Sequence, residues 1–320
     1  MVFRMDNFNL SIVVLCSLLL TGGDIVGGRI YAANQEKLGS SNAGEAPLGK
    51  LNPSNLTTDG LASSSAGLLF NMIMNGLGTV QEPDNQTLVT LNAAPAASSY
   101  IRSRNTTGSK STIEVDGFTL DVTENSGAAL ILKNRQGFNY FSVGWHAPPG
   151  LYNGDLGTHF FVFWTWDRYG KTGCFNLDCP GFVVDKGATI LPGSRLQLVS
   201  HPYGVKRTIT LRVLKPHLIG SFPKSLLEKA TEIQLSGFVS SLKSRRLVPM
   251  GSGVRPGNPQ AASFRSCYLL DQNGQRIRSS QHFVPYMTDE KIYSLSPMSP
   301  VGAFSYGGPD MNGMLSVSHD

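Results

Sequence analysis

Residues able to do chemistry are sparse in this 320-residue chain, and the densest group is Thr172–Val183, Thr-Gly-Cys-Phe-Asn-Leu-Asp-Cys-Pro-Gly-Phe-Val. Four residues separate Cys174 from Cys179, a spacing that can close a tight disulfide-bonded turn in an oxidising compartment. Pro180-Gly181 then leads into an apolar stretch. Of the two other cysteines, Cys16 lies in an apolar N-terminal run. Cys267, in Ser263-Phe-Arg-Ser-Cys-Tyr-Leu-Leu270, is left unpaired and reads as a small core residue, not as a nucleophile. The histidines at 146, 159, 201, 217, 282 and 319 are dispersed. With no His-Glu-x-x-His and no second cysteine pair, no metal site is expected. His146, ahead of Pro148-Pro149, reads as a hydrogen-bonded turn histidine. Gly251-Ser-Gly253 lacks the strand-to-helix setting of a nucleophile elbow and reads as a tight turn. No glycine-rich phosphate loop occurs, and no cofactor is implied.

Composition narrows the class further. Hydrophobic residues make up 41% and charged residues 15%, so the chain can build a sizeable core under a surface of Ser, Thr, Asn and Gly. The formal charge of +5 is scattered, and its one dense group, Lys243-Ser-Arg-Arg246, is short. A nucleic-acid surface would need a basic face interleaved with aromatics, so no nucleic-acid partner is expected. Arg4 followed by the apolar run Leu10–Leu20 has the form of an export signal, and the run is too short for a comfortable membrane span. We assign residues 1–33 to a secretory leader and the protein to the extracellular space. An uncleaved signal anchor is the alternative. Gly22-Gly23 and Ala32-Ala33 do not make a clean Ala-x-Ala, so the cleavage point is not placed. Sequons at Asn55, Asn85 and Asn105 agree with export.

The elements that must position these residues follow from pattern. Residues 34–111 are expected to be a flexible, Ser-, Asn- and Gly-rich region, because Gly39–Gly67 has few large apolar side chains to offset ordering entropy. The island Leu68–Leu77 is either a docking helix or a remnant of a pro-segment. From residue 112 to 320 strand follows strand: Gly127–Leu132, Phe138–Trp145, His159–Trp166, Phe182–Val184, Leu196–Val199 and Arg207–Val213. Ile209, Leu211 and Val213 alternate with Thr208, Thr210 and Arg212, and His159–Trp166 is apolar enough for burial on both faces. Pro148-Pro-Gly, Asn153-Gly-Asp, Asp185-Lys-Gly and Pro192-Gly supply turns. Only Pro223–Thr231 has a helical pattern. The class is therefore all-β, an antiparallel sandwich or barrel with one short helix.

Seven blocks in order resemble one family. Gly144-Trp-His-Ala-Pro-Pro-Gly-Leu-Tyr152 is similar to Gly-Trp-x-Val-x-Pro-x-Leu-Tyr, and Phe163-Trp-Thr-Trp-Asp167 to Tyr-Trp-Thr-x-Asp. The Cys174–Cys179 motif follows at the family distance. Ile219-Gly-Ser-Phe-Pro-Lys-Ser-Leu-Leu227, Met250-Gly-Ser-Gly253, Ala262-Ser-Phe264 and Tyr306-Gly-Gly-Pro309 complete the series. The chain resembles the neprosin family, plant secreted glutamic peptidases that cut after proline. The resemblance implies an antiparallel β-sandwich in which two glutamates act as a general acid–base pair across a groove.

Both glutamates are replaced here. The first family glutamate lies two residues before the Gly-Trp pair, where this chain has Ser142. The second lies in a Trp-Gly-Gly-Glu-Val block, matched by Leu235-Ser-Gly-Phe-Val239, which puts Phe238 there. The implied protein is a non-catalytic relative with no catalytic residue of its own. Its groove is expected to bring Ser142 and Phe238 face to face, with Trp145 and Trp164 beside them. The expected partner is a proline-containing peptide or a cell-wall polymer. The alternatives are an active endopeptidase with a displaced acid, among Asp121, Glu124 and Glu232, or a purely structural extracellular protein. The tryptophan-rich strand of the family is shortened to Lys215-Pro-His-Leu218, and its late cysteine pair is absent.

Overall fold

A computed structural model describes residues 8–15 and most of 96–310. Within the second span, residues 103–107, 123, 135–138, 149–150, 153–154, 166–173, 179–181, 187, 202–203, 214–219, 224–231, 242–246, 272 and 278–281 fall outside the description. So do all three sequons, Cys16, Cys179, and the expected helix after Pro223.

The described residues form sixteen strands and no α-helix. In chain order they are β1 (Phe8–Leu15), β2 (Ala96–Arg102), β3 (Gly108–Glu114), β4 (Glu124–Asn134), β5 (Asn139–Ala147), β6 (His159–Thr165), β7 (Cys174–Phe175) and β8 (Val183–Val184), then β9 (Thr208–Val213), β10 (Gly220–Pro223), β11 (Glu232–Ser241), β12 (Ala262–Leu270), β13 (Arg276–Ile277), β14 (Val284–Met287), β15 (Ser294–Leu295) and β16 (Phe304–Gly307). Two sheets result. One is ordered β15-β16-β12-β3-β9-β1-β10-β8, with β13 added to β12; the other is β14-β2-β11-β4-β5-β6-β7. Every strand pairing is antiparallel.

Alternation builds the core. Ile209, Leu211 and Val213 of β9 pack with Ile113, Phe264 and Tyr306 of the same sheet. Against them lie Leu130, Leu132, Phe141, Val143, Trp145, Phe160, Val162 and Trp164 of the other sheet. All seven residues of β6 are buried, as its uninterrupted apolar run requires. Cys267 sits in this core as a free thiol, and burial pushes it up to about 12. Met250–Gly253 is a tight turn in which Gly251 and Gly253 take φ of 60° and 75°. A Cβ on Gly251 would fall 2.6 Å from that of Ala262.

Several expectations change. The sandwich takes in residues 96–102 and 108–111, assigned above to the flexible region: β2 is buried between β11 and β14, and β3 lies between β9 and β12. Their small and polar residues hide the strand signal, because each strand sends only a few apolar side chains, Ala97 and Ile101 of β2 and Ile113 of β3, into the core. Phe8–Leu15, inside the expected leader, forms β1, paired with β9 on one side and β10 on the other. Pro223 is the last residue of β10. Leu196–Val199 is not a strand; Arg195 and Ser200 make isolated bridges to His159 and Asp116.

Candidate functional site

The seven-stranded sheet has an outer face, turned away from the shared core. Its second apolar cluster, Ala129, Ile131, Tyr140, Phe161, Phe163 and Phe238, lies there with Phe175 packed beside it. Register arranges the outer-face residues in rows. One row runs Tyr100, Gln234, Ile131, Ser142, Phe163 and Phe175. Another runs Ala96, Phe238, Gly127, His146 and His159.

Ser142 and Phe238 therefore share this face but do not oppose each other. Two strand spacings, about 10 Å, separate them across the sheet, and four residues, about 13 Å, along it. Across β4, Ser142 lines up with Gln234, and Phe238 with His146. The Phe238 ring meets Phe161 edge-on at 6.3 Å and lies over Gly127, whose absent Cβ would stand 2.5 Å from Phe238 Cζ. Trp145 and Trp164 are corrected as groove residues: both are buried in the core between the sheets. Trp145 Nε1 donates to the Glu114 carbonyl at 2.8 Å. Positions 142 and 145 differ by an odd number, so one strand cannot show both on one face.

The polar groups of this face form two sets. At the β2–β11 side, Ser98 and Ser236 share a hydrogen bond of 2.8 Å, and Gln234 Nε2 donates to Ser98 at 2.8 Å. Lys133 Nζ donates to Gln234 Oε1 at 2.6 Å and lies 3.7 Å from Glu232, which also meets Arg102 Nε at 3.3 Å. Among the described residues on the strands of this face, Glu232 is the only carboxylate. Glu124 projects to the other side of β4, and its Oε2 accepts the Asp121 amide at 2.9 Å in a turn.

The second set surrounds His146, which is a strand residue of β5 and not a turn histidine. Its Nε2 lies 2.8 Å from Tyr152 Oη. Tyr152 stacks on His159 at 3.7 Å and 9°, and its Oη accepts from Asn176 Nδ2 at 3.1 Å. Burial, with the neighbouring His159, holds His146 well below the usual imidazole range, so it is neutral. Asn176 belongs to the cysteine motif. Its φ of 53° is one that Asn tolerates, and its Oδ1 accepts the Val162 amide at 3.1 Å. Cys174 beside it is disulfide-bonded. The motif thus orients Tyr152 and, through it, His146; the Cys-x₄-Cys spacing alone does not reveal this.

A carboxyl pair passed over in the sequence lies at the end of β3. Burial raises Glu114 despite the Lys206 ammonium 3.1 Å away, and burial together with Glu114 raises Asp116 further. Ser263 also donates to Glu114, at 3.2 Å. Both carboxyls are buried. The pair belongs to the nine-stranded sheet, off the face that carries Ser142 and Phe238.

A profile of the Neprosin family matches residues 122–309, more than half of the chain. The chain belongs to the neprosin family. Among solved structures it is similar to Scytalido-glutamic peptidase with a peptide-based transition state analog, at 10% identity and a TM-score of 0.35. That match covers 67% of this chain and 98% of the other. Scytalido-glutamic peptidase with a transition state analog inhibitor is alike at 10% identity and a TM-score of 0.34, over 67% and 97%. The neprosin domain here is the two-sheet antiparallel sandwich, and its matched span opens just before β4 and closes after β16.

Proposed function

We propose that this neprosin-domain protein is an exported, non-catalytic relative of the glutamic peptidases that binds a proline-containing peptide or a cell-wall polymer on its outer face. One observation carries the reading: among the described strand residues, that face holds a single carboxylate, Glu232, occupied by Arg102 and Lys133. Glutamic-peptidase chemistry needs one carboxylate to activate water and a protonated partner to donate. Ser142 has no base beside it in its row and is no nucleophile. The apolar leader-like N-terminus, the three sequons and the bonded Cys174 support export.

The near-complete burial of Ser142, His146 and Phe238, with exposures of 2%, 0% and 9%, favours a second reading, a filled face with a structural role. Of Asp121, Glu124 and Glu232, only Glu232 lies on this face for a displaced-acid peptidase. The test is cleavage of proline-containing peptides between pH 3 and 6, alongside binding of the same peptides. Turnover by the wild type that disappears in Glu232→Gln would overturn the non-catalytic reading. Binding without cleavage supports it, and neither binding nor cleavage supports the structural one.

A further inference from the structure

Register gathers cations that are far apart in the chain onto the outer face of the nine-stranded sheet. Arg212 of β9, Lys110 of β3 and Tyr268 of β12 lie side by side in one row. Arg265 lies in the next row opposite Thr112, and Arg276 of β13 lies opposite Leu270. The register shift between Arg265 and Tyr268, where Ser266 takes φ of 50°, resets the alternation so that both share this face. Ile113, Leu211, Phe264 and Leu269 point the other way, into the core. Arg276 Cζ and Lys110 Nζ stand over the Tyr268 ring, 4.8 and 5.6 Å from its centroid. Arg265 and Arg276 are exposed, while Lys110 and Arg212 are half-buried. Among the described residues none of these four cations forms an ion pair. Arg212 Nη2 reaches only the Gly274 carbonyl, at 3.4 Å, and its Nε has no partner. The one carboxylate on β3, β9, β12 and β13 is Glu114, buried at the end of β3 and engaged by Lys206 at 3.1 Å. Asp271, in the turn after β12, accepts the Asn273 and Gln275 amides with its Oδ1.

We propose that this face is a docking surface for an acidic polysaccharide, a chain of carboxylate-bearing sugars. It lies on the other sheet from Ser142 and Phe238 and does not depend on the reading above. Charge complementarity carries the proposal. The cations are spread over neighbouring strands about 5 Å apart, which suits charges repeated along a polymer better than one small anion. Each guanidinium can take a carboxylate through two parallel N–H donors. Half-buried Thr112 and Tyr268 set hydroxyls among the cations, for sugar hydroxyls that an acidic polypeptide does not offer. Single-stranded nucleic acid would need open aromatic faces for its bases, and the Tyr268 ring is taken up by Lys110 and Arg276. An anionic membrane would need exposed apolar side chains to insert beside the cations, and none of the large exposed ones lies on these four strands.

The probe is a polygalacturonate oligomer, titrated calorimetrically into the full chain and its variants, with the Tm of each ligand-free protein recorded. Wild-type binding is expected to weaken by about tenfold or more between about 50 and 200 mM salt. Arg265→Gln/Arg276→Gln is expected to bind about tenfold more weakly at the lower salt with an unchanged Tm, since both side chains are exposed. Lys110→Gln, expected to weaken binding about threefold, carries the comparison if the double variant does not fold. Lys186→Gln/Lys291→Gln removes the same charge from exposed turns outside these strands and is expected to bind like the wild type. Equal losses in the two double variants overturn the surface in favour of diffuse net charge. No binding by the wild type, or equal binding of the fully methyl-esterified oligomer, overturns the proposal outright. Tighter binding of polyglutamate, of an oligothymidylate or of phosphatidylserine vesicles overturns the polysaccharide as the partner.

Discussion

Asp116 sits fully enclosed two residues after Glu114, and its Oδ2 finds no hydrogen-bond partner. Burial first and the Glu114 charge second push its carboxyl well above the ordinary value of 3.8. A raised folded pKa means stability is full below the unfolded value and is lost as pH climbs toward the folded one. Asp116→Asn should therefore be more stable than the wild type at pH 7, by on the order of 1–3 kcal/mol, with the difference shrinking below pH 4; urea unfolding across pH 3–8 checks this. Gly127 is constrained from two sides: a methyl carbon on it would stand 2.5 Å from Phe238 Cζ and 2.6 Å from the Trp145 carbonyl oxygen. Gly127→Ala should lose about 1–3 kcal/mol. Adding Phe238→Ala should not restore it, since the backbone oxygen remains; the Tm values of the single and double variants decide. Such contacts also give Phe238 a packing role: its ring occupies the space that Gly127 leaves.

At the scale of elements, β1 lies within the stretch expected to be a secretory leader. As a strand it pairs Ile12–Leu15 with Thr210–Val213 and Phe8–Ile12 with Gly220–Pro223, joining the β10–β8 ribbon to the sheet. As part of a leader it would be removed. A chain beginning at residue 34 should leave the free edge of β9 unpaired. Its β9 amides that face β1 should exchange with solvent at least tenfold faster than in the full chain, and its Tm should fall by several degrees. Equal exchange in the two chains would show that β1 contributes nothing to the sheet. The cysteine segment has a more local part. Asn176, through Val162 and Tyr152, connects the middle of β6 to the His146 cluster.

For the whole molecule, the two sheets share one continuous apolar cluster that draws on β2 to β9 and β11 to β16 among the described residues. β2 is central to the second sheet's edge: it pairs with both β11 and β14. A chain starting at residue 112 would lose all of β2 and half of β3, opening both sheets. It should fail to give a cooperative thermal transition, whereas a chain starting at residue 90 keeps every strand but β1 and should unfold cooperatively, as followed by circular dichroism and limited proteolysis. The family match beginning at residue 122 does not mark the start of the folding unit.

The sequence by itself determined the class. Period-two patterning in Thr208–Val213 and the double burial of His159–Thr165 call for strands around a shared core, and both are found there. Neither Ser142 nor Phe238 can carry a proton as a carboxylate does, whatever surrounds them. Alternation could also have excluded Trp145 from the face of Ser142. What only the tertiary structure decided is which distant strands lie side by side. The pairing of Ser240 with Asn125, 115 positions apart by subtraction of their numbers, and the offset of Ser142 from Phe238 depend on the register of β4 between β5 and β11. Strands β2 and β3 escaped notice for the same reason: segments with few apolar side chains become strands when neighbours on both sides supply the hydrogen bonds.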